Sequence, residues 1–308
     1  MWAAHAGLIA GRTNDVVLAT NSYLMTIARS PTVVVVHDLF GFDRTYDLPA
    51  GALGERLTLP FAVRRGAGFI CPSRATESAL EARFPPVRGR TRVIPHGVSA
   101  EFVNASPREV AARHDIEGRY VLAVGTLEPR KNLVRLVRAF AALDPAVRGD
   151  CSLVLAGLRG WSIEDLDEVT GASAKTVQML GFVEDEDLPG LYAEATAFAY
   201  PSLAEGFGLP VLEAMAAGCP VLTSDRSSLP EVGGDAAVLV DPTDERAIAR
   251  GLERLLVDDA YRAELRHRGR DRAAHFTWEH TARETLGYLR SVTSTLAAGK
   301  SRDSADSS

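Results

Sequence analysis

From Tyr120 onward, short apolar or β-branched runs alternate with amphipathic ones. That alternation admits few architectures, because repeated βα units close into a parallel sheet whose two faces are both covered by helices. The strand candidates are YVLAVG, SLVLAG, VQMLG, AFAYP, PVLTS and AAVLVD. Between them Leu133, Leu136, Val137 and Phe140 recur at helical spacing, as do Ile248, Leu252, Leu255 and Leu256, so each of these helices has one face to bury. A further helix around Val211 to Ala217 has Pro210 where a first-turn proline is tolerated and Gly218 where a C-terminal cap belongs.

The N-terminal third repeats this grammar with VVLAT, TVVVVH, GFICPS and RVIP, few strands for a doubly wound sheet. The expected fold class is α/β, with two Rossmann-like doubly wound domains of which the N-terminal one is incomplete. Residues 99–115 lose the strand pattern and mark the boundary. The expected division is a partial domain over 1–104, a second domain over 105–275, a helix over 276–298 packing back toward the first, and a polar, disordered tail over 299–308. The helix carries Trp278, Ala282, Leu286 and Leu289 as its stripe, with Thr277 as N-cap.

Composition removes several classes. A net charge of −6 argues against a nucleic-acid binder, which needs surplus Lys and Arg to displace counterions. The three cysteines, Cys71, Cys151 and Cys219, are widely spaced beside apolar runs and read as small buried hydrophobes in a reducing, cytoplasmic setting. No run is long and apolar enough to cross a bilayer, and residues 1–11 lack the basic start of a signal peptide.

Two segments carry chemistry. In GTLEPRKN (125–132) a strand ends at Gly125, Arg130 and Lys131 supply adjacent cations, and Asn132 can cap the next helix. Cations beside a helix N-terminus suit a diphosphate. In EGFGLPVLEAMAAGCPV (205–221) the amides of Gly206, Phe207, Gly208 and Leu209 form a second phosphate cradle. Glu205 and Glu213 flank it, and a carboxylate accepts paired hydrogen bonds from vicinal hydroxyls. A dinucleotide fingerprint fails here, because the third glycine position is Val211 and Glu205 would set negative charge beside the pyrophosphate. His37 ends an apolar strand, at the strand end where parallel sheets place function. No DxD-type or His-rich metal constellation accompanies these segments.

Together with LGFVEDEDLPGLYAEA (180–195), VIPHGV (93–98) and VVVVHDL (33–39), these stretches resemble, over about residues 30–290, the retaining glycosyltransferases of family 4. The resemblance implies a GT-B fold and transfer of a hexose, with retention and without a metal, from a nucleotide-diphosphate sugar to a glycan or lipid-linked acceptor. No cofactor is expected. GDP-mannose is favoured as donor over UDP-sugars, because GTLEPRKN with VVVVHDL looks like the mannosyltransferase-like branch. By the same resemblance, Arg130 and Lys131 hold the diphosphate behind Gly125, and Phe182 and Val183 border the base. Glu213 takes the ribose hydroxyls, Glu205 with the amides of Gly206 to Leu209 holds the transferred sugar and its phosphate, and His37 faces that sugar. Departing from the family, no opening strand with its glycine-containing loop is found before Asp15. The alternative is therefore a protein that binds nucleotide sugar and is inactive without that segment or a partner. Residues 56–92 hold eight arginines (56, 64, 65, 74, 83, 88, 90, 92) against Glu77 and Glu81. Such a cluster suits an anionic membrane surface, and with it a peripheral place on the inner membrane face.

Overall fold

The computed structural model describes residues 16–21, 30–43, 52–107, 109–162 and 164–305. The chain forms two compact units: residues 1–96 with 278–308, and residues 97–277. In the first, β1 (Val17–Ala19), β2 (Thr32–Val35), β3 (Gly68–Cys71) and β4 (Thr91–Val93) form one parallel sheet in sequential order. Side chains alternate across it, as strand geometry requires. Val34, Phe69 and Cys71 face Leu59, Val63 and Leu80 of the helices Ala52–Arg65 and Arg74–Arg83, whereas Val33 and Ile70 face Val292, Tyr288 and Leu289.

Those last residues lie on the helix Trp278–Ala305, whose Tyr288 hydroxyl donates to the Arg90 carbonyl at 2.6 Å. The expected stripe is corrected here. Trp278 and Leu286 are exposed, and Tyr288, Leu289 and Val292 make the buried face, because the helix meets the sheet further along its length. The helix also runs through to Ala305, into the segment expected to be disordered. That segment's Ala, Lys and Arg residues favour helix once an upstream turn has nucleated it.

In the second unit β5 (Tyr120–Val124), β6 (Ser152–Ala156), β7 (Val177–Gly181), β8 (Ala197–Tyr200), β9 (Val221–Ser224) and β10 (Ala237–Val240) form a parallel sheet ordered β10-β9-β8-β5-β6-β7. Its strands are covered on both faces. Val121, Leu153 and Leu155 pack with Leu136, Val137 and Phe140 and with Ile248, Leu252 and Leu255 on one side. On the other, Leu122, Val154 and Phe198 pack with Val211, Leu212 and Met215. The chain winds outward from β5 to β7, then returns to lay β8 on the other side of β5. Ligands of such sheets bind beyond the carboxyl ends of the strands at this reversal.

The unit boundaries fall at 96/97 and 277/278 rather than 104/105 and 275/276. Val98 bridges to Thr277 and donates to the Phe276 carbonyl at 3.0 Å, and Phe102 packs edge-on against Tyr192, so 97–104 belongs with the second core. All three cysteines are free and buried. Burial pushes the Cys71 thiol up to about 12 and that of Cys151 to about 11, leaving both thiols protonated and inert.

A buried ion-pair cluster at the strand reversal

The segment after β5 is built on two glycines that touch. Gly125 (φ +139°) donates to the Ala156 carbonyl at 2.9 Å. A Cβ on Gly157 (φ +148°) would lie 2.0 Å from the Gly125 carbonyl oxygen, so only glycine fits there. The chain then turns through a short 3-10 helix, Pro129–Lys131.

Asn132 does not cap the following helix, contrary to expectation. It sits in the left-handed region and its side chain makes no capping bond. Its Nδ2 donates instead to the carbonyls of Pro201 at 3.0 Å and Pro242 at 2.6 Å, and its Oδ1 accepts from Arg135 at 2.9 Å. The side chain thus ties the β5 loop to the ends of β8 and β10, which replaces the cap as its use.

Arg130 and Lys131 converge on Glu205, which enters from the loop after β8. Arg130 Nη1 lies 2.7 Å from Glu205 Oε2, and Lys131 Nζ lies 2.8 Å from Oε1. Each carboxylate oxygen therefore carries one cation. Arg130 also donates from Nη1 to the Ala204 carbonyl at 2.8 Å and from Nη2 to Glu128. Lys131 donates to the Tyr200 hydroxyl, with its ammonium 4.8 Å from the centre of the Tyr200 ring. Glu128 and Glu205 are both buried, at 7% and 8% exposure. Burial pushes the Glu205 carboxyl up, but Lys131 and Arg130 more than reverse this and hold it below the usual carboxylate value. The Arg130 guanidinium stays charged, its pKa raised by Glu205 and Glu128 against the cost of burial.

The Glu205 backbone is fixed from a third segment. The Ser227 hydroxyl donates to its carbonyl at 2.6 Å, and the Ser228 hydroxyl, 2.8 Å from the same carbonyl and 2.7 Å from that of Phe207, shares its one proton between the two. Gly208 (φ +112°) then opens the helix Leu209–Ala216, whose first turn contains Pro210. Glu213 follows on this helix and accepts from the Tyr192 hydroxyl at 3.3 Å. Burial, opposed by that hydrogen bond and reinforced by the charge of Asp185, raises its carboxyl to about 7. At the end of β7, Phe182 is exposed and Val183 packs against the core.

The structure thus gathers Gly125, Arg130, Lys131, Glu205 and the stretch from Gly206 to Leu209 at the reversal between β5 and β8, with Glu213 one turn into the helix that follows. His37 belongs to the first unit. Its Nε2 donates to the Thr20 carbonyl at 2.9 Å, and its ring lies 5.5 Å from His96, which lies 5.8 Å from Trp278. Burial, then the neighbouring His37, lowers His96 to about 4. Sequence reasoning missed Glu128, Tyr200, Tyr192 and the two serines. Glu128 stood inside the quoted motif, but nothing in its neighbours signalled a buried carboxylate.

Each unit is built on a parallel sheet, and in the second the loop after β5 brings two buried cations to a carboxylate from the loop after β8; the chain has the GT-B fold. The family described as Glycosyl transferases group 1 matches residues 109–272, and that described as Glycosyltransferase Family 4 matches 8–102. The chain belongs to this glycosyltransferase family. It is 41% identical over 194 residues to the O-antigen chain mannosyltransferase B of Escherichia coli, covering 61% of this chain and 51% of that one. It is 30% identical to the MMP alpha-(1->4)-mannosyltransferase of Mycolicibacterium hassiacum, over 95% of this chain and 75% of that protein. The solved Anabaena protein Alr3699/HepE, in complex with UDP and glucose, shares the fold with a TM-score of 0.75 at 22% identity, over 90% of this chain and 78% of that one. The chain spans about half the length, or less, of the Escherichia coli mannosyltransferases it matches.

Proposed function

We propose that this chain moves a hexose, mannose by its relatives, from a nucleotide-diphosphate sugar to the hydroxyl of a glycan or lipid-linked acceptor. The observation that carries the reading is the pair of buried cations, Arg130 and Lys131, held by buried partners where β5 and β8 part. Departure of the diphosphate is the demanding step, since negative charge collects on its leaving oxygen as the anomeric carbon becomes cationic. Fixed cations in a water-poor site stabilise that charge with little reorganisation. The bond from the anomeric carbon to the phosphate oxygen breaks, the acceptor oxygen takes its place on the same face, and the acceptor proton leaves with the departing phosphate. Arg130 and Lys131 do here what a metal ion does elsewhere. Glu213 receives the ribose hydroxyls, Phe182 and Val183 border the base, and His37 acts on the transferred sugar. The relatives named mannosyltransferases support mannose as the sugar, and GDP is favoured over UDP as its carrier on the likeness of GTLEPRKN and VVVVHDL to the mannosyltransferase-like branch.

Thermal shift with GDP, UDP and ADP and their sugar conjugates tests donor binding, since a ligand of the native state alone raises the melting temperature. Radiolabel transfer from GDP-mannose tests the reaction. Stabilisation by no nucleotide defeats the proposal. Binding without transfer supports the narrower reading, a donor-binding chain that needs a further segment or partner.

A further inference from the structure

Resting on the donor-site reading above, we infer that Glu205 occupies the diphosphate position in the ligand-free protein, and that an arriving nucleotide sugar displaces its carboxylate from Arg130 and Lys131 onto the sugar hydroxyls. Glu205 thereby makes the site prefer a nucleotide sugar to a bare nucleoside diphosphate.

The charges require an exchange of this kind. Arg130 and Lys131 meet Glu128 and Glu205, so the buried cluster is already neutral. A diphosphate brings at least about two negative charges at neutral pH, and in a poorly solvated site added anions repel resident carboxylates strongly. One carboxylate has to yield. Both hydrogens of Arg130 Nη1 are committed, one to Ala204 and one to Glu205, so an anion reaching that nitrogen replaces one of them.

The geometry shows which partner moves. Glu128 is two residues from Arg130, across Pro129, and binds the other guanidinium nitrogen, Nη2. Tyr200 holds Lys131 through its hydroxyl, at the edge of its ring. Glu128 and Tyr200 can therefore keep the two cations in place by themselves. The Glu205 main chain is pinned by Ser227 and Ser228, while its carboxylate is held by the cations that the ligand needs. Its side chain can swing while its backbone stays fixed. A carboxylate leaving two cations needs new donors, and the vicinal hydroxyls of a transferred sugar supply them. A bare diphosphate does not.

Calorimetric titration of the full chain with inorganic pyrophosphate, GDP and GDP-mannose decides the matter, using wild type, Glu205→Gln, Glu205→Asp and Lys131→Ala. Glu205→Gln is expected to bind GDP and pyrophosphate about tenfold more tightly than wild type, roughly the worth of one released ion pair, and to lose the preference for GDP-mannose over GDP. Glu205→Asp keeps the charge on a shorter arm and should fall between. Equal or weaker GDP binding by Glu205→Gln, with wild-type binding present and lost in Lys131→Ala, overturns the exchange and leaves the donor-site reading standing. No binding of any of the three probes by wild type removes the donor-site reading itself. Should both Glu205 variants fail to fold, a crystal structure of the wild type with GDP decides: a carboxylate turned off the cations supports the exchange, and one still bridging them refutes it.

Discussion

The hydroxyl of Tyr192 donates to Oε2 of Glu213 at 3.3 Å, placing a phenol and a carboxyl in contact inside the second unit. Burial is the larger influence on the acid, which is raised to about 7. Between the unfolded value near 4.5 and about 7 the native state holds a proton that the unfolded chain has lost, so stability should fall as pH rises through that window. Thermal melts from pH 4.5 to 8 should show this slope, on the order of 3 kcal/mol in total, and Glu213→Gln should flatten it. If ribose hydroxyls donate to the ionised carboxylate, nucleotide affinity should rise across the same range in wild type and not in the variant.

Lys131→Met should destabilise the protein by about 3 kcal/mol, because it leaves buried Glu205 with a single cation. The same substitution in a Glu205→Gln background should cost clearly less. Urea unfolding of the four proteins closes this cycle, and a coupling energy near zero would show that the pair acts through separate contacts. Arg130→Ala and Lys131→Ala should each also weaken GDP binding by about 1.5–3 kcal/mol.

In the first unit burial, and then His37, push the His96 imidazole down to about 4. Here the unfolded state binds the extra proton between pH 4 and 6.5, so stability is lost as pH falls through that range. His96→Phe should reduce the acid loss by on the order of 3 kcal/mol, and a nitrogen-15 imidazole spectrum should find His96 neutral at pH 6. His37→Ala, by contrast, should lower sugar transfer while leaving affinity for GDP unchanged.

Gly157→Ala should cost on the order of 3 kcal/mol, since its new methyl would sit 2.0 Å from the Gly125 carbonyl at a φ of +148°. Expression as inclusion bodies, or a melting temperature several degrees lower, is the expected readout. A variant as stable as wild type would mean that the two loops separate without penalty.

Leu57 and Phe61 lie exposed one turn apart on the helix Ala52–Arg65, with Arg56, Arg64 and Arg65 exposed on the same helix. An apolar pair followed by Arg64 and Arg65 suits anionic lipid, whereas Arg90 is tied to the carbonyls of Val63, Gly66 and Pro86 and Arg56 to that of Gly41. Among the described residues no helix is long and apolar enough to cross a membrane. Sedimentation with vesicles containing phosphatidylglycerol should exceed that with phosphatidylcholine alone at low salt, and Arg64→Ser with Arg65→Ser should reduce the difference.

Periodicity alone determined the strands and the two best helices. A run buried on both faces, or a stripe every three to four residues, states locally which surface must leave water. That is why the sequence alone assigns Leu136, Val137 and Phe140 to the core. The motif segments were legible for the same reason, each being a strand, a loop and a helix start in one stretch. What tertiary structure alone decided is the order of the strands. Laying β8 beside β5 brings Lys131 to Glu205 across 74 residues, and no local pattern encodes that pairing. It also decided that Glu128 is buried beneath Arg130, that Asn132 ties loops together rather than capping a helix, and that Trp278 is exposed while Val292 is covered. A polar side chain's partner is set by whichever segments converge on it, which is a property of the whole packed unit.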